Sequence, residues 1–296
     1  MSDDRGYKMK VLIIDIDSTI PNLALKKIEK YHLDLGDEVV WNLPLYRHLA
    51  DKVYVSCIFT KNKNKCFDYE DDPKCLIGGS GYDYCNLPEE IESVKPHINL
   101  GFTTRGCIRK CKFCIVPQKE GRIRVVGDLL DLWDRKTKDV VLLDNNILAL
   151  PNHFKQICKQ ARENKIRLDF NQGLDHRLLN QDIVNELKTI SHQTFHFAWD
   201  NMSDYGTVVL AINLLFKNNI NRSTWLVLVG FNTTFEQDLY RVNYLKSQNQ
   251  NAYLMRYNGK TTKQLTALSR WVNNRAWFQA STWEDFLNRN YKDSIV

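Results

Sequence analysis

Cys107, Cys111 and Cys114 stand in the segment GFTTRGCIRKCKFCIVPQKEG, residues 101–121, as C-x3-C-x2-C. Three soft thiolates on so short a loop can converge on one metal centre, zinc or an iron–sulfur cluster. A structural zinc site closes with a fourth protein ligand, whereas a 4Fe-4S cluster held by three thiolates keeps one iron open to a small molecule. No His or Cys follows within thirty residues of Cys114, so the open cluster fits better than closed zinc. The other five of the eight cysteines are scattered. Cys57, Cys66, Cys75 and Cys85 have eight to nine residues between them, and Cys158 sits in an apolar helical stretch where it reads as a core thiol.

These residues need elements to hold them. The chain has 296 residues, 43% hydrophobic and 26% charged, which excludes disorder, collagen and coiled coil and gives length for two modest domains. Strands are expected at Val11–Asp15, Glu38–Trp41, Val53–Ile58 and Cys75–Gly78, with a helix over Asn22–Tyr31 closed at Gly36-Asp37. This reads as a small parallel α/β domain over 1–97. From there the alternation lengthens, with strands at Ile98–Thr103, Val140–Asp144, Arg167–Asn171, Thr194–Asp200, Trp225–Gly230 and Ala252–Tyr257. Helices are expected between them near Gly127–Arg135, Asn152–Asn164, Gln181–Thr189, Asp204–Asn218 and Phe235–Ser247. Six βα steps over 98–258 make three quarters of a parallel barrel, a doubly wound open sheet being the competing architecture. An aromatic-rich helical extension, 259–296, carries Trp271, Trp277, Phe278, Trp283 and Phe286.

Alternation then sorts side chains. Phe195, Phe197 and Trp199 share one face, and His196, Ala198 and Asp200 the other; Leu168 and Phe170 likewise oppose Asp169 and Asn171. The aromatic set belongs under the helices, which turns His196, Asp200 and Asp169 inward. Polar residues also gather at successive strand ends: Asp144, Asn145 and Asn146; Asn171, Gln172, Asp175 and Arg177; Asp200 and Asn201; Asn232 and Glu236; Arg256. That is the edge on which parallel barrels place active sites.

The three-cysteine spacing, the aromatic Phe113 before the last cysteine, and the position after the first strand of a partial βα barrel resemble the radical S-adenosylmethionine (SAM) superfamily over roughly residues 98–258. The resemblance implies that Cys107, Cys111 and Cys114 ligate three irons of a 4Fe-4S cluster while SAM chelates the fourth. Reduction of the cluster then cleaves SAM to methionine and a 5′-deoxyadenosyl radical that abstracts a substrate hydrogen. It further implies cofactor-binding roles for Asp144, Asn145, Asn171, Asp175, Asp200, Gly230 and Glu236. Leu143-Asp144-Asn145-Asn146 replaces the family's Gly-Gly-Glu run and resembles the Asp-Asp-Asn variant of tRNA methylthiotransferases. Val229-Gly230-Phe231 leads to a displaced Glu236 where the family carries its adenine-side motif. Methylthiolation or methylation of an RNA base is therefore the leading subclass, with peptide or metabolite modification as the alternative within this chemistry. A non-catalytic iron–sulfur or zinc protein is the alternative outside it.

The N-terminal domain resembles the Rossmann-like, cobalamin-binding-like domain that precedes many radical SAM cores, with Gly78, Gly79 and Gly81 after an apolar strand. Cobalamin stays open as a cofactor without a D-x-H-x-x-G motif, since Asp15-Ile16-Asp17-Ser18-Thr19 has neither the His nor the Gly. Cys57, Cys66, Cys75 and Cys85 read as buried thiols or as a second cluster like that of methylthiotransferases.

Net charge is +6, and residues 101–125 alone carry seven basic residues (Arg105, Arg109, Lys110, Lys112, Lys119, Arg122, Arg124) against Glu120. Such a rim suits an acidic electron donor such as flavodoxin or ferredoxin, or a phosphate-bearing substrate, nucleic acid included. No apolar run approaches the roughly 18 to 20 residues of a membrane span, so no membrane partner and a cytoplasmic location are expected.

Overall fold

The computed structural model describes residues 7–84, 86–259 and 262–291, and the chain divides into two compact units, 1–100 and 101–296. In the first, β1 (Lys10–Asp15), β2 (Glu38–Trp41), β3 (Lys52–Ser56) and β4 (Cys75–Gly78) pair in parallel in the order β2-β1-β3-β4. The continuous apolar run of β1 is what a sheet covered on both faces requires. Leu12 and Ile14 pack with Val53, Val55, Cys57 and Cys66, while Val11 and Ile13 pack with Leu25, Ile28 and Tyr54. Helix α1 (Leu23–Asp34) starts where Asn22 Oδ1 accepts the Leu25 amide at 3.3 Å and ends before Gly36, whose φ of +81° only glycine adopts readily.

Strand β3 stops at Ser56, short of the expected Ile58, because beyond Cys57, whose amide still donates to Gly78 O at 2.9 Å, the amides leave the ladder. Ile58 N and Phe59 N donate to Asp17 at 2.7 and 3.0 Å, and Asn62 Nδ2 donates to the same carboxylate at 2.9 Å. The glycines after β4 are consumed by the same crossing. A Cβ on Gly79 would lie 2.3 Å from Cys57 O, and one on Gly81 2.5 Å from the Phe59 carbonyl carbon. Their smallness lets two backbones touch. Cys57 and Cys66 are buried thiols, and burial pushes Cys66 up to about 12. Cys85 lies outside the described residues. A short helix, α2 (Glu89–Glu92), follows.

β5 (Leu100–Gly101) straddles the division, and the second unit continues with the antiparallel pair β6 (Thr104–Arg105) and β7 (Arg124–Val125), which encloses the cysteine segment and α3 (Val116–Lys119). Then come β8 (Asp139–Leu142), α4 (Pro151–Asn164), β9 (Arg167–Phe170), α5 (Gln181–Thr189), β10 (Ser191–His192), β11 (His196–Ala198), α6 (Tyr205–Lys217), β12 (Thr224–Val229), α7 (Phe235–Ser247) and β13 (Asn251–Arg256). The sheets run β5-β8-β9-β10 and β11-β12-β13, and a parallel bridge from Leu174 to Phe197 links β11 to the segment after β9. Neighbours therefore follow chain order, without the reversal a doubly wound sheet has at its switch point.

Several expected elements are shorter, and two of them show why. The first strand breaks at Thr103, whose amide bonds a side chain instead of a neighbouring strand. The helix expected over 127–135 is a single turn at Leu129–Asp131. Asp134 accepts the amides of Lys136 and Thr137 at 2.8 and 3.0 Å, and this turn, with Arg135 at φ +62°, ends the helix.

Helices α8 (Lys263–Asn273), α9 (Arg275–Ala280) and α10 (Trp283–Asn290) pack through Trp271, Phe278, Trp283 and Phe286 into the same core as the strands. Asn273 from α8 accepts the Leu254 amide at 2.7 Å and donates to the Leu254 carbonyl at 3.2 Å, so a side chain covers the open edge of β13. No helix among the described residues is long and apolar enough to cross a membrane.

Candidate metal centre

The cysteine loop is pinned at its root. Asp144, the second residue after β8, accepts the Thr103 amide at 3.2 Å, the Thr103 hydroxyl at 2.9 Å, the Thr104 hydroxyl at 2.5 Å and the Thr104 amide. Burial pushes this carboxyl up, opposed by those four bonds. Asp144, expected among the cofactor-binding residues, is thus committed to the loop. Gly106 follows with φ +85°, and a Cβ there would meet Arg122 O at 2.4 Å, so only glycine lets the two arms of the loop cross. Arg105 closes the arms with a forked pair to Glu120 at 2.6 and 2.9 Å.

Cys107, Cys111 and Cys114 are all half-buried. Cys107 Sγ accepts the Arg109 amide at 3.3 Å and Asn146 Nδ2 at 3.4 Å, and Cys114 Sγ accepts the Val116 amide at 3.4 Å. Burial raises the pKa of Cys111 and Cys114, and the neighbouring thiols and Asp200 raise both further. Three soft donors that repel one another as thiolates, two of them receiving N–H groups at sulfur, fit an iron–sulfur ligand set. They are not drawn to a point: among the described residues, no three His, Cys, Asp or Glu side chains stand in a metal-holding arrangement. Phe113 packs edge-on against Phe231 at 5.7 Å, and Phe231 against Tyr257 at 4.8 Å, which seats the loop over the ends of β12 and β13.

Asp175 is the hub beside Cys107. Its carboxylate accepts Arg109 Nε at 2.9 Å, Arg177 Nε at 2.7 Å and Asn146 Nδ2 at 3.1 Å. Burial pushes it up, but the bonds from Arg177 and Arg109 outweigh burial and hold it below the ordinary range. Asp200, after β11, is pushed up to about 6 by burial, against the pull of Arg241 and Arg177. Arg241 was not legible as a site residue. It is fully buried and donates to the Trp199 carbonyl, to Leu228 O at 2.7 Å and to Asp238 at 2.6 Å, tying the ends of β11 and β12 together. The Asp-x-x-Arg spacing on an amphipathic helix was its one signal.

Phe195, Phe197 and Trp199 are buried in the core, and His196 and Asp169 share the opposite face with side chains 27% exposed. His196 Nδ1 and Asp169 Oδ1 stand 4.0 Å apart, and neither atom has a hydrogen-bond partner. Asn145 Nδ2 and Asn146 Oδ1 are also buried without partners. Such atoms cost about 1–3 kcal/mol each unless something binds them. Asn171 is exposed just past β9, and Gly230 turns the chain after β12 with φ +78°. Glu236 is exposed in the first turn of α7, where backbone amide and Thr234 hydroxyl hold its carboxyl below the ordinary range.

No protein-family model matches the chain. Two curated relatives do, both named tRNA-2-methylthio-N(6)-dimethylallyladenosine synthase, from Flavobacterium psychrophilum and Flavobacterium johnsoniae. Each is 27% identical in a 124-residue alignment covering 31% of this chain and 26% of the relative. The chain thus spans about a quarter of the length of the curated relatives it matches, a distant and partial similarity to an enzyme.

Proposed function

We propose that the chain is a radical SAM enzyme. What carries this reading is the loop of Cys107, Cys111 and Cys114, pinned by Asp144 at the carboxyl edge of parallel strands, with N–H groups aimed at two of its sulfurs. The partial similarity to tRNA methylthiotransferases supports it. Strands that neighbour one another in chain order support a partial (β/α)6 barrel over 98–258, with Asn273 covering the edge where a further strand would add. The bound cluster supplies the electron that cleaves SAM.

The chain's own residues hold and orient. Cys107, Cys111 and Cys114 ligate three irons. Asn145, Asn171, Asp200 and Gly230 line the SAM side, and Asp144 acts through the loop rather than by touching SAM. Asp169 and His196, with their unpartnered atoms, face the substrate. Exposed Lys110, Lys112, Arg122 and Arg124 dock an acidic electron donor or a phosphate-bearing substrate in the cytoplasm. RNA-base methylthiolation or methylation is the favoured subclass, on the similarity to the two tRNA-modifying relatives.

Anaerobic reconstitution with ferrous iron and sulfide tests the class: about four irons per chain are expected, lost in Cys111→Ala. A colourless chain that instead loads zinc supports the non-catalytic alternative. Comparing RNA nucleosides by mass spectrometry from cells with and without the chain tests the subclass.

A further inference from the structure

Both N–H groups at Cys107 Sγ lead back to one carboxylate. Asn146 Nδ2 spans Cys107 Sγ at 3.4 Å and Asp175 Oδ2 at 3.1 Å, and the residue giving the other donor, Arg109, holds the same Oδ2 through Nε at 2.9 Å. An ionised carboxylate only accepts hydrogen bonds. It therefore fixes which end of the Asn146 amide faces it, and one hydrogen of that NH2 is left for sulfur. Asn146 Oδ1 has no partner of its own, so nothing on its other side competes to set the orientation. Asn146 is 3% exposed and the Asp175 side chain 5%, so water does not replace these bonds. Two arginines on Asp175 keep it ionised and tie the cysteine loop to the segment after β9.

We propose that Asp175 is a positioning residue for the three-thiol centre, acting through Asn146 and Arg109 to aim two N–H groups at Cys107 Sγ and raise the reduction potential of the cluster bound there. This rests on the radical SAM reading above and gives Asp175 a role other than direct contact with SAM. Hydrogen bonds at a ligand sulfur draw charge from it and favour the reduced, more negative cluster.

The full chain is reconstituted anaerobically with ferrous iron and sulfide as wild type, Asn146→Ala, Asp175→Ala and the double variant. Iron and sulfide per chain, the electron paramagnetic resonance spectrum of the reduced state and the midpoint potential are measured. Asn146→Ala is expected to keep wild-type iron and to shift the midpoint negative. In Asp175→Ala the lost N–H orientation shifts it negative while the lost carboxylate charge shifts it positive, so the coupling is read from the double variant: Asn146→Ala is expected to change the midpoint less in the Asp175→Ala background than in wild type. An unchanged or more positive midpoint in Asn146→Ala overturns the proposal, and so do shifts that add. Should Asp175→Ala fail to fold, isosteric Asp175→Asn takes its place with the same expected loss of coupling to Asn146. A wild-type chain that takes up no iron overturns the radical SAM reading itself, whereas a wild-type cluster indifferent to Asn146→Ala overturns the positioning proposal alone.

Discussion

Asp144 Oδ1 accepts both the amide and the hydroxyl of Thr103, 41 residues earlier in the chain, at 3.2 and 2.9 Å. With the matching pair from Thr104, this replaces ladder bonds at the point where the first strand gives way to the cysteine loop. Asp144→Ala leaves two buried amides and two buried hydroxyls without their acceptor. It is expected to cost about 3–5 kcal/mol in denaturant unfolding and to lower iron uptake with it. A variant as stable as wild type contradicts this and returns Asp144 to the SAM side.

His176 offers a pH signature. Burial lowers its pKa from the ordinary 6.5 to about 4, with the Arg177 charge adding to that. The unfolded chain then binds the proton more tightly between those values, so this group's contribution is full above pH 6.5 and is lost as pH falls toward 4. The total is about 3 kcal/mol. His176→Gln is expected to flatten that part of the stability–pH curve, measured by urea unfolding across pH 4–7. An equal slope in both proteins rules the assignment out.

Gly79 and Gly81 separate packing from ligand binding in the first unit. Gly79→Ala must fit a Cβ 2.3 Å from Cys57 O at φ +103°, and Gly81→Ala one 2.5 Å from the Phe59 backbone. Each is expected to lose about 3 kcal/mol of stability. Unchanged thermal unfolding combined with loss of a bound small molecule is the opposing result.

Thiol reactivity divides the cysteines. In the iron-free chain an alkylating reagent is expected to mark half-buried Cys107, Cys111 and Cys114 while buried Cys57, Cys66 and Cys158 wait for unfolding. Burial pushes Cys66 and Cys158 up to about 12, which withholds their thiolates. Loading iron should then protect the first three. Peptide mapping that finds Cys66 modified before Cys107 refutes this ordering.

How much was legible depended on sequence distance. Val11–Asp15 and Trp225–Val229 show as strands because apolar runs report burial directly, and the alternation from Phe195 to Trp199 sorts its two faces because parity is local. The break at Thr103 was hidden, since it depends on Asp144 across 41 residues. So was the role of Asp175, whose partner Arg109 is 66 residues away and reads in the sequence only as one more positive charge. The close approach after β4 was hidden too, because a sequence shows that a Cβ is missing at Gly79 and Gly81, not that Cys57 and Phe59 occupy its place.

The most direct measurement is the fate of SAM. Reconstituted chain, given SAM and dithionite without oxygen, is predicted to form 5′-deoxyadenosine and methionine in equal amounts, with Cys107→Ala, Cys111→Ala and Cys114→Ala each reducing this at least a hundredfold. A fully iron-loaded chain that leaves SAM intact, or a Cys111→Ala variant that cleaves it as well as wild type, contradicts the assignment.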